Sequence, residues 1–200
     1  MTDYFALLNE PRRPWLDANS LKQKFRALSG EVHPDRVHNA GEAEKRAVNQ
    51  RYTELNAAYN CLREPKARLR HLLELERGTA IKDLRQPPND LVDLSFEVGR
   101  VCRDADRLIA EVAKATSPLL KVQLFERSQN QIEKLNALQQ TIAAQREQVV
   151  EELKAIDAEW QSNPSTRGAL LPKLDVIGGQ FGFFARWNQQ LQEQMVRLAF

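Results

Sequence analysis

The sequence predicts an all-α protein in two parts. Short helices built around an antiparallel hairpin occupy residues 1–76, and a three-helix antiparallel bundle occupies 89–200, with 77–88 as a linker. Three observations carry this reading. The 200-residue chain has only 8 Gly and is rich in Ala, Leu, Gln, Glu, Lys and Arg, which favour helices. Apolar residues recur at steps of 3 and 4 along most of its length, the period of one helix face. Gly78 and the Pro87-Pro88 pair interrupt that period and separate the two halves.

In the first half, Tyr4, Phe5, Leu7 and Leu8 make a short apolar helix that Pro11 and Pro14 end. A second helix is expected to begin at the capping pair Asn19-Ser20, with Leu21, Phe25, Leu28 and Val32 on one face. Lys22 and Arg26 lie beside that face and Lys24 on the far side. Pro34 stops the helix, and the loop runs from His33 to Gly41. A third helix spans 42–62 with Val48, Tyr52, Leu55, Tyr59 and Leu62 inward, which makes the second and third helices an antiparallel pair. A fourth follows Pro65, a favoured first helical residue, with Leu69, Leu72 and Leu73 inward.

The second half has three periodic segments. Leu91, Leu94, Val98, Val101, Ala105, Leu108 and Val112 keep one stripe without a slip. From about 118 to 160, Ile132, Leu135, Ile142, Val149, Leu153, Ile156 and Trp160 fall on heptad positions, interrupted by Gln139 and Arg146. Unbroken, that helix is about 65 Å long. The third segment carries Leu170, Leu174, Ile177, Phe181, Phe184, Leu191, Met195 and Leu198, with a kink expected near Gly178, Gly179 and Gly182. Short connections between them make a bundle.

Composition excludes several classes. The chain has 29 Lys+Arg against 27 Asp+Glu, a balance too even for a general nucleic-acid binder. Residues 1–76 hold 13 basic and 11 acidic residues and 77–200 hold 16 of each, so the small excess is confined to the first half. Phosphate-cradling, nucleophile-elbow and zincin motifs are absent, and no enzymatic activity is expected. Cys61 and Cys102 stand 41 positions apart with no CxxC, so they read as free thiols, and neither metal nor cofactor is expected. No apolar run approaches the ~20 residues of a membrane span, and the N-terminus lacks a signal-peptide pattern, so a cytoplasmic protein without a membrane partner is expected.

His33-Pro34-Asp35 is an unusual tripeptide in its setting, a turn between a short basic amphipathic helix and a longer one. Together with Asp3-Tyr4-Phe5, Leu21, Phe25 and Leu28, and then Asn56-Ala57-Ala58-Tyr59, Leu62 and Pro65, it resembles the J-domain of DnaJ-like co-chaperones. The stretch from Pro65 to Leu75, and an N-terminal J-domain running straight into a helical bundle, resemble the HscB type, co-chaperones of iron–sulfur cluster assembly. This resemblance implies an L-shaped molecule that stimulates the ATPase of a DnaK-type (HscA-like) chaperone and delivers an IscU-like iron–sulfur scaffold to it. The implied docking residues are His33, Pro34 and Asp35, supported by Lys22, Arg26 and Arg36. Basic groups there would steer toward an acidic partner surface. The implied client patch is Val92, Phe96 and Glu97 on the first bundle helix. Phe183 and Trp187 on the third helix join this client patch, one turn apart and off the main stripe as Val92 and Phe96 are, and all four apolar residues read as an exposed surface or as a wider core. Two other readings stand beside this one. The chain could serve a different client, or be a coiled-coil structural or oligomerising protein with an incidental HPD.

Overall fold

The structure is a computed structural model that describes residues 1–37, 41–78 and 86–199. Those residues form seven α-helices and no strand, the all-α class that the periodicity indicates. They are α1 (Tyr4–Leu7), α2 (Ala18–Glu31), α3 (Glu42–Arg63), α4 (Pro65–Arg77), α5 (Val92–Lys114), α6 (Pro118–Ser162) and α7 (Arg167–Ala199). Most of the linker, 79–85, and the loop residues 38–40 lie outside the described residues.

Helix starts follow side-chain chemistry. Asp3 caps α1 by accepting from the amides of Phe5 at 3.0 Å and Ala6 at 3.3 Å. Helix α2 begins one residue before the expected Asn19-Ser20 pair, because Asp17 is the cap and its carboxylate accepts from the Ser20 amide at 2.8 Å. Pro65 opens α4, and Gly78, with φ of 69°, closes it in the left-handed conformation that favours glycine. Helix α6 is unbroken from Pro118 to Ser162, and α7 is helical through Gly178, Gly179 and Gly182, where a kink was expected.

The chain divides into two compact units, Met1–Lys82 with Glu152–Gly178, and Asp83–Glu151 with Gly179–Phe200. Residues 1–76 fall wholly in the first unit, whereas 89–200 is shared between the two. This differs from a division at the linker alone. The heptad seam of α6 runs on without a change of composition, so nothing local marks residue 152 as a boundary.

In the first unit, α3 is the hub against which α1, α2 and α4 lie. Its core is Phe5, Leu8, Leu21, Leu55, Leu62, Leu69 and Leu72, all essentially inaccessible. Phe25 stacks on Tyr59 with ring centroids 4.3 Å apart. The end of α6 and the start of α7 complete this core. Trp160 is fully buried, and its indole N–H donates to the Arg12 carbonyl at 2.9 Å. Gly178 approaches α4 so closely that a Cβ would stand 3.7 Å from Leu69.

Two buried polar residues of α4 help hold the first unit. Arg68 donates to the carbonyls of Pro14 at 2.8 Å and Leu62 at 2.7 Å. His71 accepts the Tyr4 amide on Nε2 at 3.1 Å and stacks on the Tyr4 and Phe5 rings. Burial lowers the His71 pKa from its ordinary value, and the accepted N–H requires the neutral ring. Because the folded value lies below the unfolded one, the unfolded state takes up the proton first as pH falls. The stability that neutral His71 contributes is therefore present above about pH 6.5 and lost as pH falls through the lowered folded value. Urea unfolding of wild type and His71→Gln at a series of pH values is expected to show a shallower loss in the variant. Parallel curves would remove His71 as the cause.

In the second unit, α5, the 118–151 part of α6 and the 179–199 part of α7 form the three-helix bundle. Polar ties between the helices mark their directions. Gln131 on α6 donates to the Val101 carbonyl on α5 at 3.0 Å, and Arg127 pairs with Glu111 at 2.6 Å. Toward α7, Gln180 reaches Asp90 at 2.6 Å and Gln194 reaches Asp106 at 3.1 Å. Position numbers thus fall along α6 but rise along α7 as α5 advances, so α6 is antiparallel to both. The core holds Val98, Val101, Ala105, Leu108, Leu135, Leu138, Ile142, Phe181, Phe184 and Leu191. The break in the seam at Arg146 has a partner, since its guanidinium lies over the Phe181 ring at 5.6 Å. Val112, expected on the α5 stripe, is instead 40% exposed.

Candidate functional site: the HPD loop and the α5 face

The loop that follows α2 turns through a short 3-10 segment, Pro34–Val37, that rests on α3. His33 is half-exposed, and its ring stands edge-on to the Tyr52 ring of α3, centroids 5.5 Å apart and planes at 80°. The Asp35 amide donates to His33 Nδ1 at 3.3 Å, and the Asp35 carboxylate lies 3.4 Å from the same nitrogen. The Asp35 side chain is 89% exposed. The tripeptide presents the His33 ring from a seat on Tyr52 and the Asp35 carboxylate toward solvent.

Lys22 and Arg26, one turn apart on α2, are both exposed. Lys24 is turned away and engaged, pairing with Glu10 at 2.9 Å and donating to the Asn9 carbonyl at 3.2 Å. The side chains of Pro34 and Arg36 lie outside the described residues. Among the described residues, no group of three or more His, Cys, Asp or Glu is placed to hold a metal ion, and no helix is long and apolar enough to cross a membrane.

On α5, Phe96 is 72% exposed, Val92 half-buried and Glu97 exposed. Glu97 lies 4.0 Å from Arg100, which also reaches Asp104 at 3.7 Å. Phe183 and Trp187 do not belong to an exposed patch, because both are buried to 6% exposure. Their rings lie 5.5 Å apart, Trp187 also meets Phe184, and Arg186 covers Phe183 at 4.2 Å. Helix α7 needs a stripe wider than one row to fill its side of the bundle, and these aromatics supply it. The candidate client surface is thus reduced to the α5 face. Two structural groups, Arg68 and His71, were not singled out from the sequence, since within Pro65–Leu75 they sit among other basic residues with nothing to mark them as buried.

Comparison with known proteins agrees with this geometry. Residues 3–71 match the model of the DnaJ domain. The chain is 42% identical over 73 residues to a co-chaperone protein HscB homolog of Azoarcus sp. (strain BH72), covering 36% of this chain and 41% of that one. It is 38% identical over 94 residues to the HscB homolog of Bordetella petrii, covering 47% and 53%. The matched segment therefore spans about half the length of these relatives or less. Among solved structures, chaperone HscB from Vibrio cholerae superposes with a TM-score of 0.64 at 20% identity over 98% of this chain and 99% of that one. Human co-chaperone protein HscB gives 0.64 at 17% identity over 98% and 83%.

The class follows from these findings. Residues 3–71 match a DnaJ domain, the class to which this part of the chain is similar. Within that class its similarity is to the HscB co-chaperones, in sequence over less than half of the chain and in fold over nearly all of it, as the HPD loop and its flanking helices indicated.

Proposed function

We propose that this chain is a co-chaperone that stimulates the ATPase of a DnaK-type, HscA-like chaperone and delivers an IscU-like iron–sulfur scaffold to it. The observation that carries this reading is the loop geometry, with His33 seated on Tyr52 and Asp35 presented to solvent, beside which Lys22 and Arg26 are exposed on α2, the helix that leads into the loop. Lys22 and Arg26 steer the loop to an acidic partner surface, and the exposed Phe96 with Val92 and Glu97 offers the client an apolar anchor with a charged rim. One molecule then holds client and ATPase at high effective concentration.

The test is single-turnover ATP hydrolysis by the chaperone. The wild-type chain is expected to accelerate it, with a half-maximal concentration that rises with ionic strength. His33→Gln is expected to reduce the acceleration about tenfold or more, a loss of about 1.4 kcal/mol of coupling. Equal acceleration by both proteins would sink the docking assignment. For the client, Phe96→Ala is expected to weaken scaffold binding by about 1–2 kcal/mol, read by titration calorimetry on the full chain. If the wild type binds no scaffold yet still accelerates hydrolysis, the chain serves a different client.

A further inference from the structure

Beyond Phe96 the exposed face of α5 turns basic. Phe96, Arg100, Arg103 and Arg107 recur at steps of 4, 3 and 4 and are all exposed, so one stripe carries an aromatic anchor followed by three guanidinium groups. At 1.5 Å per residue it runs about 16 Å along the helix. Two carboxylates stand against the three cations. Glu97 lies 4.0 Å from Arg100, and Asp104 lies 3.7 Å from Arg100 and 3.6 Å from Arg107. These contacts are exposed and longer than hydrogen bonds, so they hold the arginines weakly and exchange readily for a carboxylate from outside. Among the described residues, Arg103 has no carboxylate within 4.0 Å. Its side chain is seated all the same. A Cβ on Gly99 would stand 3.2 Å from Arg103 Nη1, so the glycine lets the guanidinium lie back along the helix toward Phe96. The stripe ends at a recess of about 470 Å³ between α5 and α6, where Arg127 and Lys134 join Arg107. Glu111 pairs there with Arg127 at 2.6 Å. On the N-terminal side of Phe96 the nearest charge along α5 is negative, the exposed Asp93.

We propose that this stripe reads an acidic surface on the client. An IscU-like scaffold seats an apolar side chain against Phe96 and presents carboxylates to Arg100, Arg103 and Arg107, with Arg103 as the specificity-determining residue. The inference rests on the scaffold-binding reading above and adds the chemistry that the client must bring. Charge complementarity selects this occupant. A guanidinium offers a planar fork that matches a carboxylate, and the one on Arg103 is held in place without a carboxylate beside it. A basic client surface would meet three arginines at once and be repelled. A nucleic acid would call for a denser run of cations than one in which Glu97 and Asp104 lie between the arginines. The charge changes sign across Phe96, from Asp93 on one side to the arginines on the other, and this fixes a direction. The acidic part of the client lies toward the recess between α5 and α6, and its apolar part toward the start of α5.

Titration calorimetry of the full chain with an IscU-like scaffold, at low and at high salt, tests this. The dissociation constant of the wild type is expected to rise with salt. Arg103→Glu is expected to raise it about tenfold or more at low salt, and Arg103→Lys, which keeps the charge but not the fork, to raise it less. Among scaffold variants with one carboxylate at a time reversed to lysine, one is expected to bind the wild type more weakly and Arg103→Glu more tightly than the unaltered scaffold does. Position 103 is exposed on a helix surface, so circular dichroism and the thermal midpoint are expected to be unchanged and to show that the variants fold. If Phe96→Ala weakens binding while Arg103→Glu leaves it within about twofold or tightens it, the acidic surface is refuted and the scaffold reading stands. If the wild type binds no scaffold at all, the scaffold reading fails and this occupant falls with it.

Discussion

Replacing Arg68 by methionine is expected to lower the unfolding free energy by about 3–5 kcal/mol. The guanidinium is only 4% exposed, and its two N–H bonds go to the carbonyls of Pro14 and Leu62. Burial pushes its pKa down to about 10, so it remains charged at neutral pH, and Asp157 counters part of that cost. An apolar substitute of similar volume often replaces a buried ion pair without loss, because both charges leave together. Here the acceptors are main-chain carbonyls that no substitution removes, and each would be left buried and unsatisfied. Lysine is a poor substitute, since a single ammonium does not reproduce the planar fork that serves both acceptors. Urea unfolding followed by circular dichroism measures the effect. A loss below about 1 kcal/mol for the methionine variant would show that water or a local shift restores the carbonyls.

The second large effect is expected for Asp157→Ala, about 3–4 kcal/mol by the same measurement. This carboxylate is 3% exposed and joins the end of α6 to the segment that precedes α2. It accepts from both Arg13 Nε at 3.0 Å and Arg13 Nη2, from the Trp15 amide at 3.2 Å and from the Gln161 side chain at 2.8 Å. The hydrogen bond to Asp157 raises the Arg13 pKa. Alanine strands Arg13, only partly solvated, and the Trp15 amide. Asp157 also acts on Arg68 through space, so the double variant is expected to lose less than the sum of the two singles. Strict additivity would show that the two sites are independent.

The helices were legible because burial imposes a period on sequence. Leu135, Ile142, Leu153 and Trp160 sit on the heptad seam and are buried. The HPD loop was legible because three residues in a row, between two amphipathic helices, make a specific pattern. What sequence did not show has a common physical origin, in contacts between distant residues. Arg13 and Asp157 are 144 positions apart, and neither carries a local sign of its partner. Phe183 and Trp187 lay off the narrow stripe because one periodic row cannot tell how wide a face α7 must bury. The same limit hid the membership of 152–178 in the first unit, where Trp160 and Asp157 bind a segment that ends before α2.

That shared membership also orders the birth of the protein. A J-domain complete by residue 76 would begin to fold while the rest of the chain was still being made. In this chain the ties from Arg12 and Arg13 must wait for Trp160 and Asp157, and Leu69 waits for Gly178. At about 5–20 residues per second, the interval between residues 76 and 178 is on the order of 5–20 s. During that time the loop-bearing half emerges from the ribosome without its final cover of α6 and α7, its apolar sockets open to the cell.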